Sequence, residues 1–415
     1  MKVTKIIARE LFDSRGIPTI ECEVTLNDTH GVTALVSSGA STGSHEALEL
    51  RDGGKRLGGK GVQKAIENIE TIIAPALVGQ EANVVEMDLR MIALDGTDDK
   101  SKLGANAMLA VSWAMLRAQS LIEGLEPYEL IAGLVELETV SLPIPLINII
   151  NGGMHADNNL ALQEIMIVPR GQQTVRGSLE AAATLFYELK TILKKKGMST
   201  LVGDEGGFAP NFKDENEAFD TLMEAITAVQ DYDFAICIDA AANSFYNKET
   251  KTYDLHGKQY TAEQLIDWYI QLSKDYPLFS IEDGLYEDDW DSWAELTQKL
   301  GADVQIVGDD LFTTNQHRIV KGLEAGAANA ALIKPNQIGT ITETLQAIML
   351  CQEHELNTIV SHRSGETEDT LIVDLAVGTN AGQIKIGGFS RGERIAKYNR
   401  LLRIEDRLTR LVLEG

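Results

Sequence analysis

Seven times in the second half of the chain, a short apolar run ends in a charged or strongly polar residue: LVGDEGG, ICIDAA, FSIEDG, QIVGDD, ALIKPN, TIVSHRSG and QIKIGG. The polar ends are Glu205, Asp239, Glu282, Asp309, Lys334, His362-Arg363-Ser364 and Lys385. Runs of this length suit strands buried on both faces, and the stretches of helical period between them suit crossover helices. The pattern predicts successive parallel strands of a β/α barrel, whose chemistry gathers on the rim made by the carboxyl ends of the strands. A lone carboxylate after a strand reads better as a helix cap. Repetition along the chain, with three acids spaced for one metal, is hard to explain by capping.

The first third of the chain has a different rhythm. Residues 3–36 predict a three-stranded antiparallel meander. In TIECEVTLN, Ile20, Cys22, Val24 and Leu26 alternate with Thr19, Glu21, Glu23 and Thr25, the period of a half-buried strand. Asn27-Asp28-Thr29-His30-Gly31 is turn chemistry, and VTALV returns as the next strand. Helical patterns follow at about 62–75, 83–94 and 103–123, giving a small α+β domain over residues 1–130. Gly-Leu-Glu-Pro and Leu-Pro-Ile-Pro interrupt the helices near 125–141, and LINII and EIMIVP then open a barrel domain over 140–415. The expected fold class is therefore α/β, a TIM-like barrel preceded by the smaller α+β domain. The loop 37–46, SSGASTGSHE, has small residues and two glycines, which suits a mobile segment able to approach a ligand closely. It lacks the Gly-Lys-Ser/Thr ending of a P-loop.

Composition narrows the class of function. The length of 415 residues allows a barrel of about 250 residues and one smaller partner domain. A net charge of −25 argues against nucleic acid or an anionic membrane surface as the main partner. The three cysteines, Cys22, Cys237 and Cys351, are far apart without a CxxC spacing, so buried thiols are expected and neither disulfides nor a zinc site. The amino-terminal MKVTKIIARE lacks a long apolar stretch, and no segment approaches the roughly 18 apolar residues of a membrane span. A cytoplasmic location is expected.

Asp239, Glu282 and Asp309 offer hard oxygen ligands, which select magnesium or manganese over zinc, and Glu164 and Glu205 are expected on the same rim. Several carboxylates packed together without a cation would force some to bind protons at a free-energy cost. Lys334 follows the apolar run ALI, and Pro335 disfavours the helical region for it, so its side chain is expected to leave an extended strand end. An ordinary lysine, with a pKa of about 10.4, is neutral only about once in 2,500 at pH 7, a penalty of about 4.6 kcal/mol on its use as a base. Burial and nearby cations, Lys385 among them, would shrink that penalty. Arg363 and Ser364 supply a planar guanidinium and a hydroxyl suited to phosphate or carboxylate. His155 lies in the glycine-containing loop NGGMHADN and by itself reads as polar surface.

Taken together these motifs resemble the enolases over nearly the whole chain. The resemblance is carried by Phe12-Asp13-Ser14-Arg15-Gly16, SGASTGSHEALELRDG, NGGMHADNNLALQEIM, VGDEGGFAPN and IDAAANSFY. It continues through SIEDGLYEDDW, VGDDLFTTN, LIKPNQIGTITETL, SHRSGETEDT and GQIKIGGFSRGERIAKYNRLLRIE, in a bacterial style. It implies a glycolytic lyase that interconverts 2-phosphoglycerate and phosphoenolpyruvate with two Mg2+ ions per active site. In that reading Asp239, Glu282 and Asp309 hold the first magnesium, and Ser41 joins the second when its loop closes. Lys334 takes the proton alpha to the carboxylate. Glu205 helps the C3 hydroxyl leave, with Glu164 assisting. Gln163, Arg363, Ser364 and Lys385 contact substrate, and His155 and His362 line the site. The family also implies a homodimer or a ring of dimers.

Some positions depart from the family pattern. Ser37 stands where proline is usual, Asn243-Ser244 replaces Ser-Glu, and Pro335, Ile386 and Gly392 also differ beside catalytic positions. Two alternatives accompany this reading. One is a related enzyme doing the same α-proton abstraction on another carboxylic acid, against which the set Ser41, Arg363 and Ser364 argues. The other is a scaffold or surface-binding paralogue with secondary protein partners and a secreted or cell-surface pool, against which the intact acid and base set argues.

Overall fold

The computed structural model of the protein describes residues 1–39 and 43–414, with side chains up to residue 411. Alternation in the first segment yields the expected meander. β1 (Val3–Phe12), β2 (Pro18–Leu26) and β3 (His30–Leu35) form an antiparallel sheet in the order β1-β2-β3. Ile20, Cys22, Val24 and Leu26 are fully buried on one face, while Glu21 and Glu23 pair with Arg9 on the other. The Ala- and Met-rich helix Ala105–Glu123 packs on β2 and β3 and is buried along most of its length, as its lack of a polar face requires.

The remaining strands are β4 (Ile144–Asn151), β5 (Glu164–Arg170), β6 (Asp233–Asp239), a small antiparallel sheet of β7 (Tyr246–Asn247), β8 (Thr252–Leu255) and β9 (Lys258–Tyr260), then β10 (Leu278–Glu282), β11 (Gln305–Gly308), β12 (Ala330–Ile333), β13 (Asn357–Ser361) and β14 (Gly382–Lys385). Among the described residues, β4, β5, β6 and β10 to β14 close a barrel in the order β10-β11-β12-β13-β14-β4-β5-β6. The fold is a TIM-like barrel preceded by an α+β segment with a three-stranded antiparallel sheet.

Two expectations need correction. The barrel is not wholly parallel, since β5 runs antiparallel to both β4 and β6. An apolar run carries no sign of strand direction, so the pattern of hydrophobic positions could not reveal this. The run LVGDEGG is not a strand either. Only an isolated bridge joins Val202 to Phe208, and Glu205 stands in the turn between them.

The chain divides into two compact units. One comprises Met1–Ser141, Thr313–Gln316 and Ile333–Gly382; the other comprises Leu142–Phe312, His317–Leu332 and Gln383–Gly415. Cys22, Cys237 and Cys351 are free and buried, and burial pushes the Cys237 and Cys351 thiols up to about 12, which leaves them unreactive at neutral pH.

Within the first unit, the helix Val84–Asp95 is tied to the helix Ile341–Glu353 by a buried carboxylate. Asp88 Oδ2 accepts from the Thr342 backbone N–H at 2.9 Å and from Thr342 Oγ1 at 2.8 Å. Burial pushes this carboxyl up to about 6, and the hydroxyl and amide donors of Ser112 and Thr342 only partly offset it. Its folded value lies above its unfolded value, so folding takes up a proton between about pH 4 and 6. The stability contributed by this group is therefore fully present below about pH 4 and is lost as pH rises through 6. Two pK units correspond to about 3 kcal/mol. Asp88→Asn keeps an acceptor for Thr342 and cannot ionise. Its unfolding free energy relative to the parent is expected to rise by about 2–3 kcal/mol between pH 4.5 and pH 7.5 in urea titrations. A difference that does not change with pH would contradict this assignment.

Candidate active site

In the second unit, three neighbouring strands bring their acids level with one another. Asp239 ends β6 and Glu282 ends β10, and the two are register partners. Glu164 opens β5 and is the register partner of Asp239 on its other side. The reversed direction of β5 is what places its first residue, rather than its last, beside the carboxyl ends of its neighbours. Asp309 follows β11, which pairs with β10, so Asp239, Glu282 and Asp309 come from successive positions around the barrel.

Lys385, the last residue of β14, reaches into this row. Its Nζ lies 2.8 Å from both oxygens of Glu282, 3.1 Å from Glu164 Oε1 and 3.2 Å from Asp239 Oδ2. Lysine and acids are each no more than 4% exposed. Burial works against the Lys385 charge, but Asp239, Glu164, Glu282 and Glu205 outweigh it and hold its pKa well above the ordinary lysine value. Glu164 is driven the other way. Burial and the nearby Glu205 raise its carboxyl well above the usual range against the pull of Lys385.

Around these charges sit groups that orient them. Asn148 Nδ2 donates to Glu205 Oε2 at 3.1 Å, and Gln163 Nε2 donates to Asp239 Oδ2 at 3.3 Å. His155 Nδ1 lies 3.6 Å from Glu164 Oε1 and 3.5 Å from Glu205 Oε2. Within the described residues, Glu164 Oε2, Gln163 Oε1, Asn148 Oδ1 and His155 Nδ1 are buried with no hydrogen-bond partner in the protein. Unmatched polar atoms at a cluster of acids are what a polar ligand or cation would satisfy.

A second acidic group surrounds Asp309. Asp283, at a φ of 45°, accepts the Asp309 N–H on Oδ1 at 2.8 Å and the Asp310 N–H on Oδ2 at 2.9 Å. Carboxylate oxygens of Asp283, Asp309 and Asp310 fall within 4.8 Å of one another, as do ligand atoms of His155, Glu164 and Glu205. Burial and the Asp310 and Asp309 charges raise the Asp283 carboxyl well above its ordinary value. Asn243 donates to Asp310 Oδ2 at 2.7 Å and accepts the Glu287 N–H at 3.0 Å, so this departure from the family pattern is a satisfied link. Both groups, one of three carboxylates and one of two carboxylates and an imidazole, offer ligand atoms that could hold a divalent cation.

The first unit holds the other expected residues. Lys334 follows β12 and is extended, with φ −130° and ψ 106°, as Pro335 requires. Its N–H donates to Thr314 Oγ1 at 2.8 Å. His362, Arg363 and Ser364 follow β13 and are buried. The Arg363 guanidinium forms a fork on Glu46, Nη1 to Oε2 at 2.9 Å and Nη2 to Oε1 at 3.1 Å, and also donates to Asn336 Oδ1 at 2.9 Å. A bidentate carboxylate is the geometry in which this residue would hold an anionic ligand. A Cβ on Gly39 would overlap the Arg363 guanidinium, so a side chain there would displace it. Ser41 lies outside the described residues.

The motif Asp13-Ser14-Arg15, which had no role in the sequence, serves this loop. Ser14 N donates to Glu366 O at 2.7 Å, and Ser38 pairs with Gly365 through both backbone bonds at 2.8 and 2.9 Å. Asp13 Oδ2 accepts from Ser38 Oγ at 2.6 Å. Asp283, Asp310 and Asn148 were missed in the sequence. The second acid in each of EDG and GDD was the only available signal, and it reads equally well as a helix cap.

Two family models match the chain. The one described as enolase, N-terminal domain, matches residues 3–131. The one described as enolase, C-terminal TIM barrel domain, matches residues 139–413. Matched over nearly all of its length by the two domains of one family, with buried acids at successive barrel strand ends that are suited to a metal, the chain belongs to the enolase superfamily of lyases.

Proposed function

We propose that the protein catalyses the reversible, magnesium-dependent dehydration of 2-phosphoglycerate to phosphoenolpyruvate. The observation that carries this reading is the row of Glu164, Asp239 and Glu282 on adjacent strands, with Asp309 beyond the next strand, in a chain of the enolase superfamily. In the proposal Asp239, Glu282 and Asp309 hold one Mg2+, and Ser41 joins a second. Bound magnesium supplies positive charge opposite the substrate carboxylate, where negative charge grows as the α-proton leaves. A lysine or histidine base paired with magnesium is the general chemistry of this superfamily as a whole.

Each residue has a stated task. The neutral Lys334 amine takes the C2 proton. Glu205 protonates the C3 hydroxyl so that it departs as water, and Glu164, its carboxyl raised well above the usual range by burial and by Glu205, supports that transfer. Lys385 stays an ammonium and offers its charge to the substrate carboxylate. Arg363 and Ser364 take the phosphate, releasing Glu46 from the guanidinium. Gln163, His155 and His362 complete the lining. A homodimer or ring of dimers and a cytoplasmic location belong to the same proposal. Among the described residues no helix is long and apolar enough to cross a membrane.

The decisive experiment is magnesium-dependent appearance of phosphoenolpyruvate absorbance from 2-phosphoglycerate, with dephosphorylated glycerate as the comparison. Equal turnover of the two acids would overturn the phosphate assignment. Lys334→Ala is expected to lower turnover by at least about 10²–10⁴-fold while calorimetric magnesium affinity and the folded circular-dichroism spectrum persist. Substantial residual turnover would remove Lys334 from the role of base. Asp309→Asn is expected to weaken magnesium binding by at least about tenfold. An unaltered magnesium titration would exclude it as a ligand.

A further inference from the structure

Glu205, unlike Glu164, Asp239 and Glu282, is not part of a strand. It stands in a turn flanked by Gly203, Gly206 and Gly207, with Gly206 at a φ of 91°. Such a turn has little rigidity of its own. Its N–H groups bond within the turn and to His155 and Asn151, Gly203 N to Gly207 O at 2.9 Å, Asp204 N to His155 O at 3.0 Å and Gly207 N to Asn151 Oδ1 at 2.9 Å, while its carbonyls are met by the segment after β14. Every backbone carbonyl from Val202 to Gly206 accepts a hydrogen bond from residues 388–394. Arg391 Nη2 donates to Val202 O at 3.4 Å, and Arg391 Nη2 and Nε donate to Gly203 O at 3.0 and 3.2 Å. Arg394 Nη2 donates to Asp204 O at 3.4 Å, Gly388 N to Glu205 O at 2.7 Å, and Ser390 Oγ to Gly206 O at 3.0 Å.

The donors are themselves fixed. Arg394 is fully buried, its stem against Gly387, where a Cβ would come within 2.8 Å of both Arg394 Cδ and Glu205 O. Arg391 adopts a φ of 77°, which costs an ordinary residue of order 1 kcal/mol and persists only where surroundings impose it. Its carbonyl accepts the Arg394 and Ile395 N–H groups at the start of the last helix, at 3.2 and 3.1 Å, and its guanidinium folds back onto two carbonyls of the Glu205 turn.

We propose that Arg391 and Arg394, with Ser390, are positioning residues that fix the Glu205 carboxylate for the dehydration step. The inference rests on the reading of Glu205 as the group that protonates the departing hydroxyl. It predicts a selective defect. Removal and return of the C2 proton needs Lys334 alone, whereas loss of water needs Glu205 in place. A displacement of about 1 Å at a reacting group costs on the order of 10²-fold in rate.

The test compares Arg391→Ala, Ser390→Ala and Arg394→Lys with the parent, all saturated with magnesium. The first two alter positions outside the core, so they report even where the buried Arg394→Lys fails to fold. Expected results for Arg391→Ala are a fall of about 10–100-fold in kcat for phosphoenolpyruvate formation, KM within about threefold of the parent, and exchange of the C2 hydrogen of 2-phosphoglycerate with deuterated water at close to the parental rate. Backbone amide exchange, read without substrate, should quicken over 203–208. Unchanged dehydration in folded variants, or dehydration and C2 exchange falling in parallel, would overturn the selective positioning role. Parental amide exchange over 203–208 would overturn the clamp itself. A parent protein inert towards 2-phosphoglycerate would instead refute the proposed function, and the amide measurement would still decide whether the clamp exists.

Discussion

The active region depends on a single buried ammonium held among more carboxylates than it can neutralise. Lys385 touches Glu164, Asp239 and Glu282, and Glu205 lies close enough to act on both Lys385 and Glu164. Removing several like charges from water is costly, and one cation offsets only part of the cost. Amide donors from Asn148 and Gln163 meet part of the remaining imbalance, and the Glu164 carboxyl is raised well above its usual range.

Two kinds of backbone order set this arrangement. Strand pairing delivers Glu164, Asp239 and Glu282 as register partners, so their spacing follows from the ladder and from the one reversed strand. Asp309 and Asp310 are aligned differently, through backbone N–H groups that both end on the Asp283 carboxylate. In each case main-chain geometry carries the precision and leaves the reacting oxygens turned toward the cluster. A site assembled from long side chains alone would have more rotamer freedom to lose.

Much of this was legible from the pattern of apolar runs. Asp239, Glu282 and Lys385 do end strands, and Asp309, Lys334 and His362 do follow them. The meander of β1, β2 and β3 was legible from strict alternation, because only one of its faces is buried. What escaped was whatever depends on direction or on the backbone. The antiparallel course of β5 leaves no trace in EIMIVP. The turn around Glu205 looked like a strand because Leu201 and Val202 precede it, although three glycines nearby signal a tight, close-packed turn. Asp283 and Asp310 were hidden because each is the second acid after its strand. Asn243 stands where serine is usual, and its amide both donates to Asp310 and accepts from Glu287.

The surroundings of the two lysines also divide their chemistry. An amine acts as a base only in its neutral form, and every carboxylate beside it makes that form harder to reach. Lys385 has acids on several sides and a pKa raised well above that of free lysine, which makes it a poor base. Its value lies in being permanently charged, which suits it to hold a carboxylate. Lys334 comes from a strand end whose backbone is fixed by Thr314 and Pro335. Within the proposed reaction, proton abstraction falls to Lys334 because the charge that makes Lys385 a good ligand disqualifies it as a base.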